Sequence, residues 1–318
     1  MERHLPDTVA SWLSGCYDRD GFVARAAQKG VASFLDTDNK VTAFWTRCQD
    51  RILEYANEAI DETPETLSDE RNTSTEDAQI LYLRVICSSI SLVTNLLINL
   101  RKDDILKFQD QYERFLNHKK LWEFASSDDA FVRRQLYNLL VTCLEKQPEV
   151  VKSSLEMISR GFIAKGLSSS QTTSSLQLLD ALRKLTVRFP DVWTTSYKGR
   201  AAPINKIRDF IKKGSQGAPV EYWPSFLAML SALPDGVLPM DKEGCLQFLT
   251  EFRNAIQGRE QPRQHAGPAW KSYFGTIRLL LRTNSDAEFQ SSLFRDALCP
   301  TFDKSKENQS GSQLQLMH

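Results

Sequence analysis

The chain has 318 residues, with 40 lysines and arginines against 40 aspartates and glutamates, a formal net charge of zero and 41% hydrophobic residues. That hydrophobic content excludes a wholly disordered chain, and the neutral total excludes binding of nucleic acid by bulk charge alone. Fourteen glycines and twelve prolines are too few to punctuate a β sandwich or barrel.

In chain order, Met1 to Pro6 shows no charged stretch followed by an apolar one, so it does not read as a signal peptide. Asp18-Arg19-Asp20 has the chemistry of a helix N-cap, and Phe22, Val23, Ala26, Ala27, Gly30, Val31 and Phe34 recur at spacings of three and four. Residues 61–78 are polar and acidic, and they predict a long mobile loop between helices. Val85 to Leu100 carries no charge but includes three serines and two asparagines, and it falls short of the ~20 apolar residues that cross a bilayer. It predicts a helix buried among neighbours.

A second N-cap candidate, Ser126-Ser127-Asp128-Asp129, precedes Phe131, Val132, Leu136, Leu139, Leu140, Cys143 and Leu144 at helical spacing. Asp20-Gly21-Phe22-Val23-Ala24-Arg25 and Asp129-Ala130-Phe131-Val132-Arg133-Arg134 share Asp, Phe, Val and Arg at matching offsets. In paired-helix repeats such an Asp caps the second helix, the Val enters the core and the Arg lies along the groove. Leu176 to Val187, Phe226 to Leu233 and Phe274 to Leu281 continue the helical period, with prolines 148, 190, 219, 234 and 262 between runs. No stretch alternates as a strand would. The prediction is an all-α fold, a HEAT/armadillo-like α-solenoid of antiparallel helix pairs over residues 1–302, with a disordered tail at 303–318.

The charges cancel only globally. Residues 54–77 hold nine acids and one base, whereas residues 181–213 hold nine bases and two acids. Arg253, Arg259, Arg263, Lys271, Arg278 and Arg282 face only Glu260 between 253 and 282. The basic second half suits a phosphate-rich partner, and it equally suits solvated helix faces.

No catalytic constellation emerges. The six cysteines, 16, 48, 87, 143, 245 and 299, stand at least 32 positions apart and read as reduced, mostly buried thiols in a reducing compartment. The four histidines lack metal-ligand spacing. Lys212-Lys213-Gly214-Ser215-Gln216-Gly217 has the wrong residue order for a phosphate-binding P-loop, and Gly214 reads instead as a left-handed helix cap. Phe189-Pro190-Asp191-Val192-Trp193 and Tyr222-Trp223-Pro224 place aromatics at helix seams, as core filling or as partner-facing rings.

Several strings together resemble the N-terminal region of listerin, the RING-type E3 ubiquitin ligase family of ribosome-associated quality control. They are Trp12-Leu13-Ser14-Gly15 with Tyr17-Asp18, Val23 to Gln28, Glu62-Thr63-Pro64 through Leu67 to Arg71, Phe189 to Trp193, and Lys212 to Gly217 leading to Tyr222-Trp223-Pro224. They run in family order from about residue 5 to residue 240. The resemblance implies a helical-repeat module that helps a cytosolic ligase dock on an obstructed 60S subunit beside its nascent-chain-binding cofactor. It also implies that the chain starts inside that region and ends before the family's middle repeats. Ubiquitin transfer in the family belongs to a C-terminal zinc-binding RING, whose Cys/His cluster this sequence does not contain. The chain is therefore expected to be non-catalytic, without cofactor, metal, membrane or small-molecule substrate. The basic stretch and the Lys-Lys-Gly-Ser-Gln-Gly segment make Lys198, Arg200, Arg208, Lys212, Lys213 and Gln216 the expected partner-contacting residues. A generic helical-repeat adaptor holding a protein in its groove is the alternative.

Overall fold

The structure, a computed structural model, describes residues 5–69, 71–168, 172–282 and 286–307. Among these there are sixteen α-helices, short 3-10 turns, one π-helix and no strand. The chain divides into two compact units, residues 1–157 and 158–318.

The first unit contains α1 (Leu5–Ser14), α2 (Gly21–Phe34), α3 (Asp38–Asp61), α4 (Thr75–Asn99), α5 (Lys102–Leu106), α6 (Gln109–Leu116), α7 (Lys119–Glu123), α8 (Ala130–Lys146), α9 (Pro148–Ser153) and the start of α10 (Leu155–Ile158). One row of packed helices runs α1, α3, α6 and α9, while α4 packs on both α3 and α8. The second unit opens with the π-helix Ser159–Gly166. It continues through α11 (Ser175–Arg188), α12 (Pro203–Lys212), α13 (Tyr222–Leu230), α14 (Lys242–Ile256), α15 (Ala266–Arg282) and α16 (Ala287–Glu307). Here the alternation is regular: α11, α13 and α15 pack in one row, and α12, α14 and α16 in the other. Two interleaved rows are what stacked helix pairs produce, because each pair buries its apolar face only against its neighbours. The all-α solenoid expectation holds.

Helix starts follow the sequence signals. Asp20 accepts a hydrogen bond from the Phe22 amide, and Asp129 accepts from the amides of Phe131 and Val132. Ser74 caps α4 by accepting from the Asp77 amide at 3.1 Å, and its hydroxyl donates to the Asp77 carboxylate. Each cap satisfies amides that the first turn leaves without helical partners. The acidic connection runs from 62 to 74, since α3 reaches Asp61 and α4 starts at Thr75; Glu70 lies outside the described residues. Ser68 donates to the Pro64 carbonyl, and Lys120 donates to that of Glu62. At the other end, α16 extends to Glu307 through the first residues of the expected tail, and residues 308–318 lie outside the described residues.

α4 is the one described helix long and apolar enough to cross a membrane, yet two thirds of its most apolar window is buried inside the protein. Its polar side chains satisfy themselves: Ser88 and Ser89 donate to the Val85 carbonyl, Ser91 to Cys87, and Thr94 to Ile90. A hydroxyl bonded back to its own helix can be buried without asking a neighbour for a partner.

α2 departs from expectation. Its cap forms as predicted, but none of its side chains is buried, and Val23 is 42% exposed rather than in the core. The cause is a scarcity of neighbours, since among the described residues the packing of α2 is mainly on α1 and the 3-10 turn Gly15–Tyr17. Phe34 meets the edge of Trp12 there, and Ala27 lies against Gly15.

Candidate partner-binding surface

All six residues expected to contact a partner lie in the second unit, whose centre is an aromatic cluster. Tyr222 stacks on Phe210 at 5.6 Å between ring centroids, Trp223 stacks on Phe252 at 4.9 Å, and Phe252 meets the edge of Tyr273. Trp193 is buried and donates its indole N–H to the Thr186 hydroxyl. Of the seam aromatics, Trp193, Tyr222 and Trp223 are core and Phe189 is half-buried; Tyr222 and Trp223 fix α12, α13 and α14 against one another.

On that base the expected residues separate into two kinds. Arg200 donates to the carbonyls of Trp193 and Thr194. Arg208 forms a two-pronged pair with Glu251 on α14, with Nε at 2.7 Å and Nη2 at 2.6 Å from the two carboxylate oxygens. The fork geometry makes this the strongest ion pair of the region, and it holds the Glu251 pKa below its ordinary value. Lys213 donates to the Leu167 carbonyl just past the π-helix, as Lys206 does to the Ser168 hydroxyl. Burial lowers the Lys213 pKa. These side chains join elements of the unit together. Lys198, Lys212 and Gln216 are exposed, as is Lys213 apart from its bond to Leu167, and Lys212 also approaches Glu251 at 3.5 Å.

The Lys-Lys-Gly-Ser-Gln-Gly segment has the predicted helix end. α12 stops at Lys212, and Gly214 turns with φ +65, a conformation that an L side chain resists. Sequence reasoning did not foresee what happens next. Ser215 is fully buried and held three ways. Its amide donates to Gln261 Oε1 at 3.3 Å, its Oγ accepts from Gln261 Nε2 at 2.6 Å, and the same Oγ lies 2.7 Å from Nδ1 of the buried His265. Residues 46 and 50 positions away clasp the loop, and no local pattern marks them. Between the loop and the end of α14 lies a pocket of about 430 Å³, lined on one side by Lys212 to Gln216 and on the other by Glu251, Asn254 and Arg259 to Gln261.

Among the described residues no three His, Cys, Asp or Glu side chains are placed to hold a metal ion. Cys16, Cys48, Cys87, Cys143 and Cys245 are free and buried. Burial pushes the Cys87 thiol up to about 12 and that of Cys245 to about 11, so neither is a thiolate at neutral pH.

Comparison with known proteins gives a consistent picture. Residues 1–233 match the family model described as the N-terminal domain of E3 ubiquitin-protein ligase listerin. The listerin of Neurospora crassa is 39% identical over 277 residues, covering 87% of this chain and 17% of that protein. The listerin of Xenopus tropicalis is 21% identical over 314 residues, covering 95% of this chain and 18% of that protein. The chain thus spans less than a fifth of the length of these curated relatives. With the family model matched over most of its length, the chain belongs to the listerin family of E3 ubiquitin-protein ligases, and residues 1–233 correspond to that family's N-terminal domain.

Proposed function

We propose that this chain is a non-catalytic docking module of a listerin-type ligase, seating it on the 60S subunit during cytosolic quality control of stalled nascent chains, beside the nascent-chain-binding cofactor. Ubiquitin transfer, and any zinc it requires, belongs to a RING outside this sequence. The observation that carries the reading is the Lys-Lys-Gly-Ser-Gln-Gly loop. It lies within the family-matched residues, its backbone is fixed by the clasp on Ser215, and it turns Lys212 and Gln216 outward. A rigid loop presenting cations to solvent suits a phosphate-rich surface, with binding that weakens steeply as salt rises.

The test is co-sedimentation of the chain with purified 60S subunits at two salt concentrations. Lys198→Glu combined with Lys212→Glu should lower the bound fraction severalfold at the lower salt. These two side chains are chosen over Arg200 and Lys213, which donate to backbone carbonyls of the unit, whereas Lys212 among the described residues has only its 3.5 Å approach to Glu251. A parent chain that stays in the supernatant at low salt would refute docking.

A further inference from the structure

The pocket beside the loop is built from two segments that the clasp joins. Three cations line it: Lys212 and Lys213 from the end of α12, and Arg259 from the α14–α15 connection. Two carboxylates line it as well, but they are not equivalent. Glu251 is already neutralised by the Arg208 fork and by Lys212. Glu260 is exposed and forms no ion pair among the described residues. The remaining polar side chains of the lining are the amides of Gln216, Asn254 and Gln261 and the hydroxyl of Ser215. The volume falls within the range of small-ligand sites.

The clasp explains why Arg259 and Lys212 share one pocket. Gln261 stands two residues after Arg259 and grips both the amide and the hydroxyl of Ser215. His265 holds the same hydroxyl from the start of α15. Gly214 and Gly217, at φ +65 and φ +71, turn the backbone on either side of the gripped serine. The loop's cation and the connection's cation are thereby fixed to one mouth, at no further cost in loop entropy when an anion arrives.

We propose that this pocket receives one phosphate group of an RNA backbone, held by Lys212 and Arg259 together, with Gln261 and His265 as positioning residues. The proposal rests on the docking reading for its choice of RNA. The pocket itself calls for a compact anion between a point charge and a guanidinium fork.

The experiment is fluorescence anisotropy of the whole chain with a labelled RNA hairpin of mixed sequence, over a series of salt concentrations, with inorganic phosphate as competitor. Lys212→Gln and Arg259→Gln should each weaken binding roughly fivefold at low salt, and the double variant should lose about one unit of salt slope in total, since both cations serve one phosphate. Glu260→Gln should tighten binding severalfold, because it removes the pocket's unpaired negative charge. Phosphate should displace RNA from the parent chain at lower concentration than from the double variant. Unchanged affinity and slope in both single variants would overturn the proposal, as would a parent chain that does not bind the hairpin. If the parent still sediments with 60S subunits while the pocket variants bind RNA normally, the pocket fails and docking survives. If the parent binds RNA through the pocket but not 60S subunits, docking fails and the pocket survives.

Discussion

The entrances of α2 and α8 carry the same six-residue pattern and end in different surroundings. Their caps are nearly superposable in conformation: Asp20 has φ −73 and ψ 111, and Asp129 has φ −77 and ψ 111. In both, an arginine stacks over the phenylalanine three residues before it, Arg25 on Phe22 at 4.9 Å and Arg134 on Phe131 at 5.5 Å. Yet Val132 is 1% exposed and Val23 is 42% exposed. The pattern therefore specifies how a helix begins, and burial depends on what is packed beside it. Arg19 also ties the two entrances together through an ion pair at 2.6 Å with Asp129, while Arg84 on α4 forms one at 2.6 Å with Asp18.

The sharpest break of this comparison is a charge placed at the two valines. Val132→Asp would bury a carboxylate without a partner and should cost about 4 kcal/mol or more, enough to unfold much of the first unit. Val23→Asp should cost less than about 0.5 kcal/mol, as for an ordinary surface substitution. Urea unfolding of both variants measures the gap, and equal losses would show that α2 is covered as α8 is.

A smaller difference is expected between the caps. Asp129→Ala removes acceptance from two amides and the Arg19 pair, and should cost about 1–2 kcal/mol. Asp20→Ala removes acceptance from one amide and should cost nearer to 0.5–1 kcal/mol. Thermal unfolding ranks them, and a reversed order would place the weight on α2 instead.

The smallest effect is on pH. Burial works against the Asp18 carboxylate, but the hydrogen bond from Arg84, the Asp20 amide and the Arg84 charge outweigh it and leave its pKa depressed. A depressed acid stabilises the fold above the ordinary carboxylate range and loses that contribution as pH falls through the folded value. Asp18→Asn should therefore unfold at a slightly lower temperature than the parent near neutrality, with the difference vanishing in acid. A difference that grew on acidification would contradict the Asp18–Arg84 tie.

Much of the architecture could be read from the sequence, because caps and helical periodicity are local. The stripe from Phe131 to Leu144, the left-handed Gly214 and the aromatic seam at Tyr222-Trp223 all followed from neighbouring residues. What escaped was set by contacts distant along the chain. The basic count over 181–213 treated every cation as available, whereas Arg208, Arg200 and Lys213 are engaged by Glu251 and by backbone carbonyls. Gln261 and His265 showed no signal at all, because their partner is a serine some 50 residues earlier. The π-helix likewise has no counterpart in the spacing of Ser159 to Gly166.

The burial of the cysteines bears on how the molecule ages. Five thiols lie inside the protein, four of them within α-helices of fifteen or more residues, while Cys299 on α16 is exposed. An oxidant or an alkylating reagent therefore finds one sulfur on the folded chain, and the rest become reachable only as helices open. The stoichiometry of thiol modification over time thus works as a clock for unfolding, with the first equivalent reporting the surface and each later one reporting the loss of a packed helix.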